Sequence, residues 1–220
     1  MKPQVRSVPT PQGEGRLHYF RAKRPLATLL LSHGAGGGVE SRDLVALSQA
    51  LPRQGISVVL FEQPWRVAGR KLATSPATLD EALVAGANQM RVRSPLVVGG
   101  RSAGARSGAR CARTLGARGC LALSFPLHPP GRPEKSRLDE LLGAGLPTLV
   151  VQGENDSMGR PEEFPGDMRS VDLAVVPGAD HGLKVGARGP VSQEEALGIV
   201  VESTLEWVVR EIAGAPGVGE

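Results

Sequence analysis

A serine between glycines is the first feature of the chain that suggests chemistry. Gly100-Arg101-Ser102-Ala103-Gly104 matches the pattern G-x-S-x-G, directly after an apolar run and directly before a segment of helical character. A strand that turns sharply into a helix holds such a serine in strained backbone angles and exposes its hydroxyl, and small neighbours prevent clashes there. We therefore predict that Ser102 is a nucleophile for acyl transfer. The alternative is a serine that caps a helix in a Gly-rich turn.

His181 is the candidate for the base that a serine hydroxyl needs in order to attack. It lies in a loop flanked by Gly178 and Gly182, after an apolar run near the C-terminus. Such a loop can bring an imidazole over one edge of a sheet, and the order serine, acid, histidine suits a chain of alternating strands and helices. The alternative is a histidine exposed in a surface loop.

The carboxylate that would orient His181 should come from the loop after the preceding apolar run. Glu154 and Asp156 follow that run directly. We favour Asp156, whose role would be to fix the tautomer of the imidazole and stabilise the imidazolium. Glu154 and Asp180 remain rivals, although Asp180 adjoins His181 in sequence and would align poorly with its side chain.

Two backbone amides should stabilise the oxyanion of a tetrahedral intermediate. One is the N–H of Ala103, which follows the predicted nucleophile. The other should come from the glycine-rich loop 33–38 after the first strong apolar run, where glycines let the backbone approach a substrate. We favour the N–H of Ala35, with the N–H of Gly34 or Gly36 as alternatives, and we expect Gly34 and Gly36 to contact the substrate.

The same loop allows a second interpretation, a dinucleotide-binding turn of the form G-x-G-x-x-G. Counted from Gly34, the third glycine of that pattern falls on Val39, although Glu62 is a candidate for a ribose-binding carboxylate. We therefore expect no nucleotide cofactor, and we predict that His33 supports the loop by hydrogen bonding and takes no part in catalysis.

Short apolar runs alternate with longer amphipathic segments along the chain. The runs are nearly continuous, which is typical of strands buried on both faces of a parallel sheet. The predicted strands are 26–33, 56–62, 95–100, 120–125, 147–153 and 171–176, with weaker strands within 4–8 and 17–21. The predicted helices are 41–54, 78–91, 103–115, 135–142 and 191–212.

This order predicts an α/β fold with a doubly wound, mostly parallel sheet and helices on both faces. We expect one domain over 1–213 and a disordered tail over 214–220. Within the last helix, one apolar stripe should face the sheet, formed by Leu197, Val200, Val201, Leu205, Val208 and Ile212.

The charge pattern argues against nucleic acid as a partner. The net charge is +4 over 220 residues, and like charges form no long run. Arg106, Arg110 and Arg113 share a helical face without interleaved aromatic residues, so a solvated face is favoured over a phosphate-binding stripe.

The sequence shows no targeting signal, so we expect a cytoplasmic protein, without a metal site or a membrane span. The two cysteines and four histidines show no metal-ligand spacing. The N-terminal residues are polar, with no apolar segment of a leader peptide, and no apolar stretch reaches about 18 residues.

Five segments together resemble the dienelactone-hydrolase-like α/β-hydrolases, namely HGAGG, GGRSAGAR, FPLHPPGRPEK, QGENDSMG and PGADHGLK. They are most similar to a small lidless group, mostly described as predicted hydrolases, which also includes a eukaryotic chromatin-complex subunit. The resemblance covers about 27–212 and implies the α/β-hydrolase fold, with triad roles for Ser102, Asp156 and His181. The enzyme that gives dienelactone hydrolases their name uses a cysteine nucleophile, which argues against dienelactone specificity here.

The resemblance and the motifs together imply a serine hydrolase of small esters or thioesters. The segment after His128 leaves little room for a lid, so we expect an open, shallow substrate site. Its lining should come from Trp65, Phe125, Leu127, His128 and Met158. The alternative for His128 is simple exposure to solvent. The alternative is a binding or scaffold protein that keeps the fold with little or no turnover, a possibility suggested by the chromatin-associated relatives alone.

Overall fold

Eight strands form one sheet in the order β1-β2-β4-β3-β5-β6-β7-β8 in the computed structural model, which describes residues 2–214. The strands β3 to β8 run parallel to one another, whereas β1 and β2 are antiparallel to their neighbours. The strands are Gln4–Thr10 (β1), Gly13–Phe20 (β2), Ala27–Ser32 (β3), Ile56–Glu62 (β4), Leu96–Arg101 (β5), Gly119–Leu123 (β6), Thr148–Gly153 (β7) and Val171–Val176 (β8). The predicted mostly parallel sheet is confirmed.

Helices cover both faces of the sheet. They are Arg42–Ala50 (α1), Pro64–Val67 (α2), Pro76–Asn88 (α3), Ala103–Cys111 (α4), Leu138–Leu142 (α5) and Gln193–Trp207 (α6). A 3₁₀ turn, Leu51–Gln54, extends α1, and a π-helical turn, Val208–Ala213, extends α6. Among the described residues, no helix combines the length and apolar character needed to cross a membrane. The expected tail 214–220 lies outside the described residues apart from Gly214.

The alternation of side chains along the central strands divides the core into two layers. Leu29 and Leu31 of β3 pack in one apolar cluster with residues of α1 and α6. Leu30, between them, packs in a second cluster with Leu83 of α3. A strand whose side chains are apolar on both faces must lie inside the sheet, and β3 is wholly buried.

The last strand differs from the expectation that every apolar run is buried on both faces. Leu173 and Val175 of β8 are 36% and 40% exposed. The physical reason is position, because β8 forms one edge of the sheet and pairs with β7 alone. Only Ala174 and Val176 on its other face join the cluster shared with α6.

Helix ends differ from the predicted ones where local capping decides. Helix α3 begins at Pro76, because the Ser75 hydroxyl accepts from the Thr78 amide. Ser41 occupies the N-cap position of α1, but its hydroxyl donates to the Gly38 carbonyl and makes no capping hydrogen bond.

The predicted stripe of the last helix is largely confirmed, since Val200, Val208 and Ile212 are buried and Val201 and Leu205 pack against the same cluster. The most buried face of α6 is nevertheless rotated from the centre of that stripe. It follows Ala196, Val200, Thr204 and Trp207, whereas Leu197 is only half-buried. Small residues at 196 and 204 let the helix approach the sheet, and no hydrophobicity pattern distinguishes them.

The arginine face of α4 is another correction. Arg106 forms a bidentate pair with Glu140 of α5, with 2.6 Å between Nη2 and Oε1. Arg110 binds Asp80 of α3 through Nε and Nη2 and also reaches Glu140. Two of the three predicted solvated arginines therefore tie α4 to its neighbours, and only Arg113 is exposed.

Close packing of α4 against β5 gives a prediction about stability. A Cβ at Gly108 would lie 2.4 Å from the Cα of Gly99, and backbone cannot move aside as a side chain can. We expect Gly108→Ala to lower the free energy of unfolding by about 1–3 kcal/mol, measured by urea denaturation.

The matched control is Gly198→Ala, because Gly198 lies in α6 with no atom within 4 Å of the added Cβ. This variant should gain about 0.5–1 kcal/mol from helix propensity. Equal effects of the two substitutions would contradict the close contact.

Candidate active site

The parallel strands present their carboxyl ends at one edge of the sheet. The loops after β3, β5, β7 and β8 leave from that edge and carry the residues singled out from the sequence. Ser102 follows β5 immediately, Asp156 lies in the loop after β7, and His181 lies in the loop after β8. Functional groups from distant parts of the chain therefore converge here, as ligand sites do in open α/β sheets.

The turn at Ser102 has the strained backbone predicted from the G-x-S-x-G pattern. Its φ is 53° and its ψ is −112°, and its amide donates to the Leu123 carbonyl at 2.9 Å. A Cβ at Gly100 would lie 2.0 Å from the carbonyl oxygen of Ser32, and one at Gly104 would lie 2.2 Å from the same oxygen. Glycine is therefore required on both sides of Ser102, as expected.

A continuous hydrogen-bond chain joins the three candidate residues. The Ser102 hydroxyl lies 2.9 Å from Nε2 of His181. The Nδ1 atom of the same ring lies 2.8 Å from Oδ2 and 3.0 Å from Oδ1 of Asp156. With its proton on Nδ1, the imidazole donates to the carboxylate and accepts from the hydroxyl, which is the arrangement that prepares a serine to attack.

The Asp156 carboxylate is fully buried and firmly held. Its Oδ1 accepts from the Met158 amide at 2.8 Å, and its Oδ2 accepts from Nε2 of Gln152 at 2.9 Å. The same nitrogen also lies 3.2 Å from the Phe125 carbonyl and 2.7 Å from the Gly159 carbonyl, so its two hydrogens are shared among three acceptors. Gln152 thus fixes the carboxylate to two neighbouring loops, a role that its position inside an apolar run did not reveal.

The rival carboxylates have other partners. Oε2 of Glu154 accepts from the Gly178 amide at 2.6 Å. Oδ1 of Asp180 accepts from the amides of Gly182 and Lys184 at 2.7 and 3.0 Å. Both side chains therefore shape the loops around His181, and the carboxylate that binds its ring is that of Asp156.

The candidate oxyanion donors lie beside Ser102. Ala103 is the first residue of α4, so its amide has no carbonyl within the helix to bind. Gly34 is buried against the turn, since a Cβ there would lie 3.3 Å from Cβ of Ser102. Ala35 and Gly36 are exposed at the tip of the loop. Across residues 2–214, neither the Ala35 nor the Ala103 amide donates to a protein acceptor.

His33 supports this loop as predicted. Its Nε2 accepts from the backbone amide of Gln63 at 3.0 Å, and its Nδ1 donates to the Gly34 carbonyl at 2.9 Å. Burial lowers the pKa of His33, which keeps the ring neutral and able to accept at Nε2. The His33 and Trp65 rings pack edge-to-face, with their centroids 5.4 Å apart and their planes at 62°.

An ion pair beneath the turn escaped sequence reasoning. Nη2 of Arg101 donates to the carbonyl of His181 at 2.8 Å, and its Nε lies 3.4 Å from Oδ2 of Asp43 in α1. Asp43 is fully buried, and desolvation raises its pKa while the Arg101 charge opposes that shift. Arg101 therefore links α1, the Ser102 turn and the His181 loop. Asp43 resembles an ordinary first-turn acidic residue in sequence.

The apolar lining expected for the substrate site is mostly buried. Phe125 and Leu127 pack in the core with Val150, because the loop after β6 turns inward. Trp65 is buried against His33, whereas Met158 is half-buried. For Phe125 and Leu127, the structure therefore differs from the expectation of a surface open to substrate. Among the described residues, no trio of His, Cys, Asp or Glu is grouped to hold a metal ion.

His128 is also buried, and it joins two loops at this edge. Its Nε2 lies 2.9 Å from Oε2 of Glu163, and its Nδ1 binds the Pro129 carbonyl. The hydrogen bond to the Pro129 carbonyl is the main cause that raises the pKa of His128. The nearby Glu163 carboxylate raises it further, whereas burial lowers it. A hydrogen bond from the Arg160 amide is the main cause that lowers the pKa of Glu163, with His128 contributing.

This pair predicts a pH-dependent contribution to stability. The raised His128 pKa means stabilisation that is complete below 6.5 and is lost as pH rises through the folded value. The lowered Glu163 pKa means stabilisation present above 4.5 and lost as pH falls through the folded value. Glu163→Gln should therefore lower the free energy of unfolding most between pH 4.5 and pH 6.5, and less at pH 8. Urea denaturation at each pH measures this loss.

Glu162→Gln provides the control, because Glu162 is exposed and its ion pair is with Arg160. A Glu163→Gln effect that is constant from pH 5 to pH 8 would contradict an ionic contact with His128.

Comparisons with known proteins agree with this architecture. The sequence model of the family described as "Alpha/beta hydrolase domain" matches residues 25–209. A lidless α/β serine hydrolase from Xanthomonas campestris is 19% identical, with a TM-score of 0.70 and 98% of each chain covered. The esterase domain of a Rhodothermus marinus protein is 16% identical, with a TM-score of 0.71, covering 97% of this chain and 100% of that one.

A dienelactone hydrolase from Anabaena variabilis is 18% identical, with a TM-score of 0.72, and covers 96% of this chain and 100% of its own. At such identities the likeness shows the fold. The lidless arrangement is visible in the chain itself, because only the short helix α5 stands between β6 and β7. The family match spans most of the sequence, and the chain therefore belongs to the α/β-hydrolase family, in a lidless form similar to dienelactone hydrolases.

Proposed function

We propose that the chain is a serine hydrolase that cleaves small esters or thioesters through an acyl-enzyme intermediate. The proposal rests on one observation, the imidazole of His181 within hydrogen-bonding distance of both the Ser102 hydroxyl and the Asp156 carboxylate. Membership of the α/β-hydrolase family supports it. A domain over 1–213 would carry the whole activity.

The first half-reaction transfers the acyl group to the enzyme. Oγ of Ser102 attacks the carbonyl carbon while Nε2 of His181 takes the hydroxyl proton. The negative charge that develops on the carbonyl oxygen binds the amides of Ala103 and Ala35. The imidazolium then gives its proton to the departing alcohol or thiol, and Asp156 stabilises the positive ring throughout.

The second half-reaction returns the free enzyme. A water molecule replaces the leaving group, His181 takes its proton, and the acyl group leaves as a carboxylic acid. The Met158 amide and Gln152 hold the Asp156 carboxylate against the ring through both half-reactions.

Substrate size follows from the surroundings of Ser102. Ala35 and Gly36 are exposed beside it, and a short connection replaces the lid that encloses long acyl chains in other hydrolases. The nearby side chains of Phe125 and Leu127 are packed in the core. We infer an open site for small or surface-presented acyl groups, and the esterase and dienelactone hydrolase among the relatives favour ester chemistry.

Labelling with a fluorescent fluorophosphonate tests the proposal without knowledge of the substrate. The wild-type protein should be labelled, and Ser102→Ala should lose the label, since the probe phosphonylates an activated serine. Ser203→Ala on α6 is the matched control and should be labelled as strongly as the wild type. Folded wild-type protein that takes up no label would favour a binding or scaffold role.

A further inference from the structure

A second cavity lies at the opposite edge of the sheet from Ser102. It encloses about 430 Å³ where β3, β4 and β5 begin. Strands of this length separate the two edges by roughly 20 Å, so the cavity is separate from the candidate active site. Helix α3 ends at Asn88, and the segment that follows it forms one wall.

Four arginines line this cavity, namely Arg6, Arg21, Arg91 and Arg93. Among residues 2–214, none of them forms an ion pair with a carboxylate. Two are held in place by neutral partners. The Arg21 guanidinium stacks 4.5 Å above the Tyr19 ring, and Nη1 of Arg6 donates to the Gln89 carbonyl. Positive side chains that line a cavity without nearby carboxylates create a positive potential there, which attracts an anion.

The charge of the loops before the central strands is one-sided. The loops that precede β3, β4, β5 and β6 cover 21–26, 51–55, 89–95 and 112–118, and they contain eight Lys or Arg residues and no Asp or Glu. Since the entire chain carries only +4, the rest of the molecule is net negative. An anion near these loops would therefore be drawn toward the cavity rather than to the surface in general.

The remaining walls of the cavity combine apolar and hydroxyl groups. Val59, Met90 and Val92 supply apolar surface, and the buried Tyr19 ring forms part of the floor. Ser57 contributes a hydroxyl at the start of β4. Pockets of a few hundred Å³ with mostly apolar walls and a few convergent polar groups are typical of small-molecule sites.

We propose that this cavity binds an organic phosphate with a planar body, of the size of a nucleoside diphosphate. Guanidinium groups match phosphate oxygens in bidentate geometry, and several of them together suit a ligand with more than one negative charge. The apolar wall would take the planar body. The site is concave and of single-ligand size, which favours a small molecule over a long polyanion.

Isothermal titration calorimetry with ADP tests the site. Wild-type protein should bind ADP saturably at a single site. Arg21→Gln/Arg93→Gln should bind at least about tenfold more weakly, because two charge-assisted phosphate contacts are lost. Arg53→Gln/Arg118→Gln removes the same charge from the same edge outside the cavity lining, and its affinity should stay within about twofold of wild type.

The other arms separate the sources of binding. Tripolyphosphate and adenosine should each bind more weakly than ADP, because each offers only one half of the ligand. Equal binding of tripolyphosphate and ADP would show that only charge is recognised. A single-stranded oligonucleotide that binds more tightly than ADP, and is weakened equally by both double variants, would assign the edge to nucleic acid. Equal binding of tripolyphosphate, tighter binding of the oligonucleotide or the absence of saturable ADP binding would overturn the proposal.

The Ser102→Ala variant distinguishes this proposal from the proposed function. It should retain full affinity for ADP, because Ser102 lies at the other edge of the sheet. Loss of ADP binding in this variant would place the ligand at the candidate active site instead. A protein that binds ADP without fluorophosphonate labelling would contradict the hydrolase proposal alone.

Discussion

The buried carboxylate of Asp156 is the interaction on which the candidate active site depends. A charge with no exposure to solvent is costly unless hydrogen bonds satisfy its oxygens. Here the Met158 amide, Gln152 and the ring of His181 supply those bonds. Because the Gln152 amide nitrogen also binds two carbonyls, the carboxylate is held in a fixed orientation. The carboxylate in turn orients the imidazole.

The turn at Ser102 provides the matching constraint on the other side of the imidazole. Its strained backbone persists because the surrounding contacts allow no relaxed alternative. Gly100 and Gly104 let the turn pack directly on β3, and Arg101 ties it to both buried Asp43 and the His181 loop. The proposed chemistry thus relies on close backbone packing as much as on the three side chains.

Much of this arrangement was predictable from the sequence because its signals are local. Every predicted strand exists, and the glycines around Ser102 have the steric role that the motif implies. What escaped prediction depends on tertiary neighbours. The edge position of β8, the rotation of α6 and the pairing of Arg106 with Glu140 follow from which elements meet, not from periodicity. Asp43 looks unremarkable in sequence because its partner Arg101 is distant, and Gln152 because it lies inside an apolar run.

The two edges of the sheet differ in a way that the net charge conceals. At the carboxyl edge, buried carboxylates are matched by hydrogen bonds or by Arg101. At the amino edge, arginines surround a cavity without a matching carboxylate in the part of the chain that the structure describes. A mild overall charge therefore hides a strongly basic face, which composition could not reveal.

The most direct test of the account is the turnover of p-nitrophenyl acetate by three carboxylate variants. Asp156→Asn should keep the fold and lower turnover by roughly 10⁴, since an amide in that position favours the wrong tautomer of His181. Glu154→Gln and Asp180→Asn should stay near wild type, because their side chains bind loop amides and retain an acceptor oxygen. Full activity of Asp156→Asn, with loss of activity in either rival variant, would contradict the central role of Asp156.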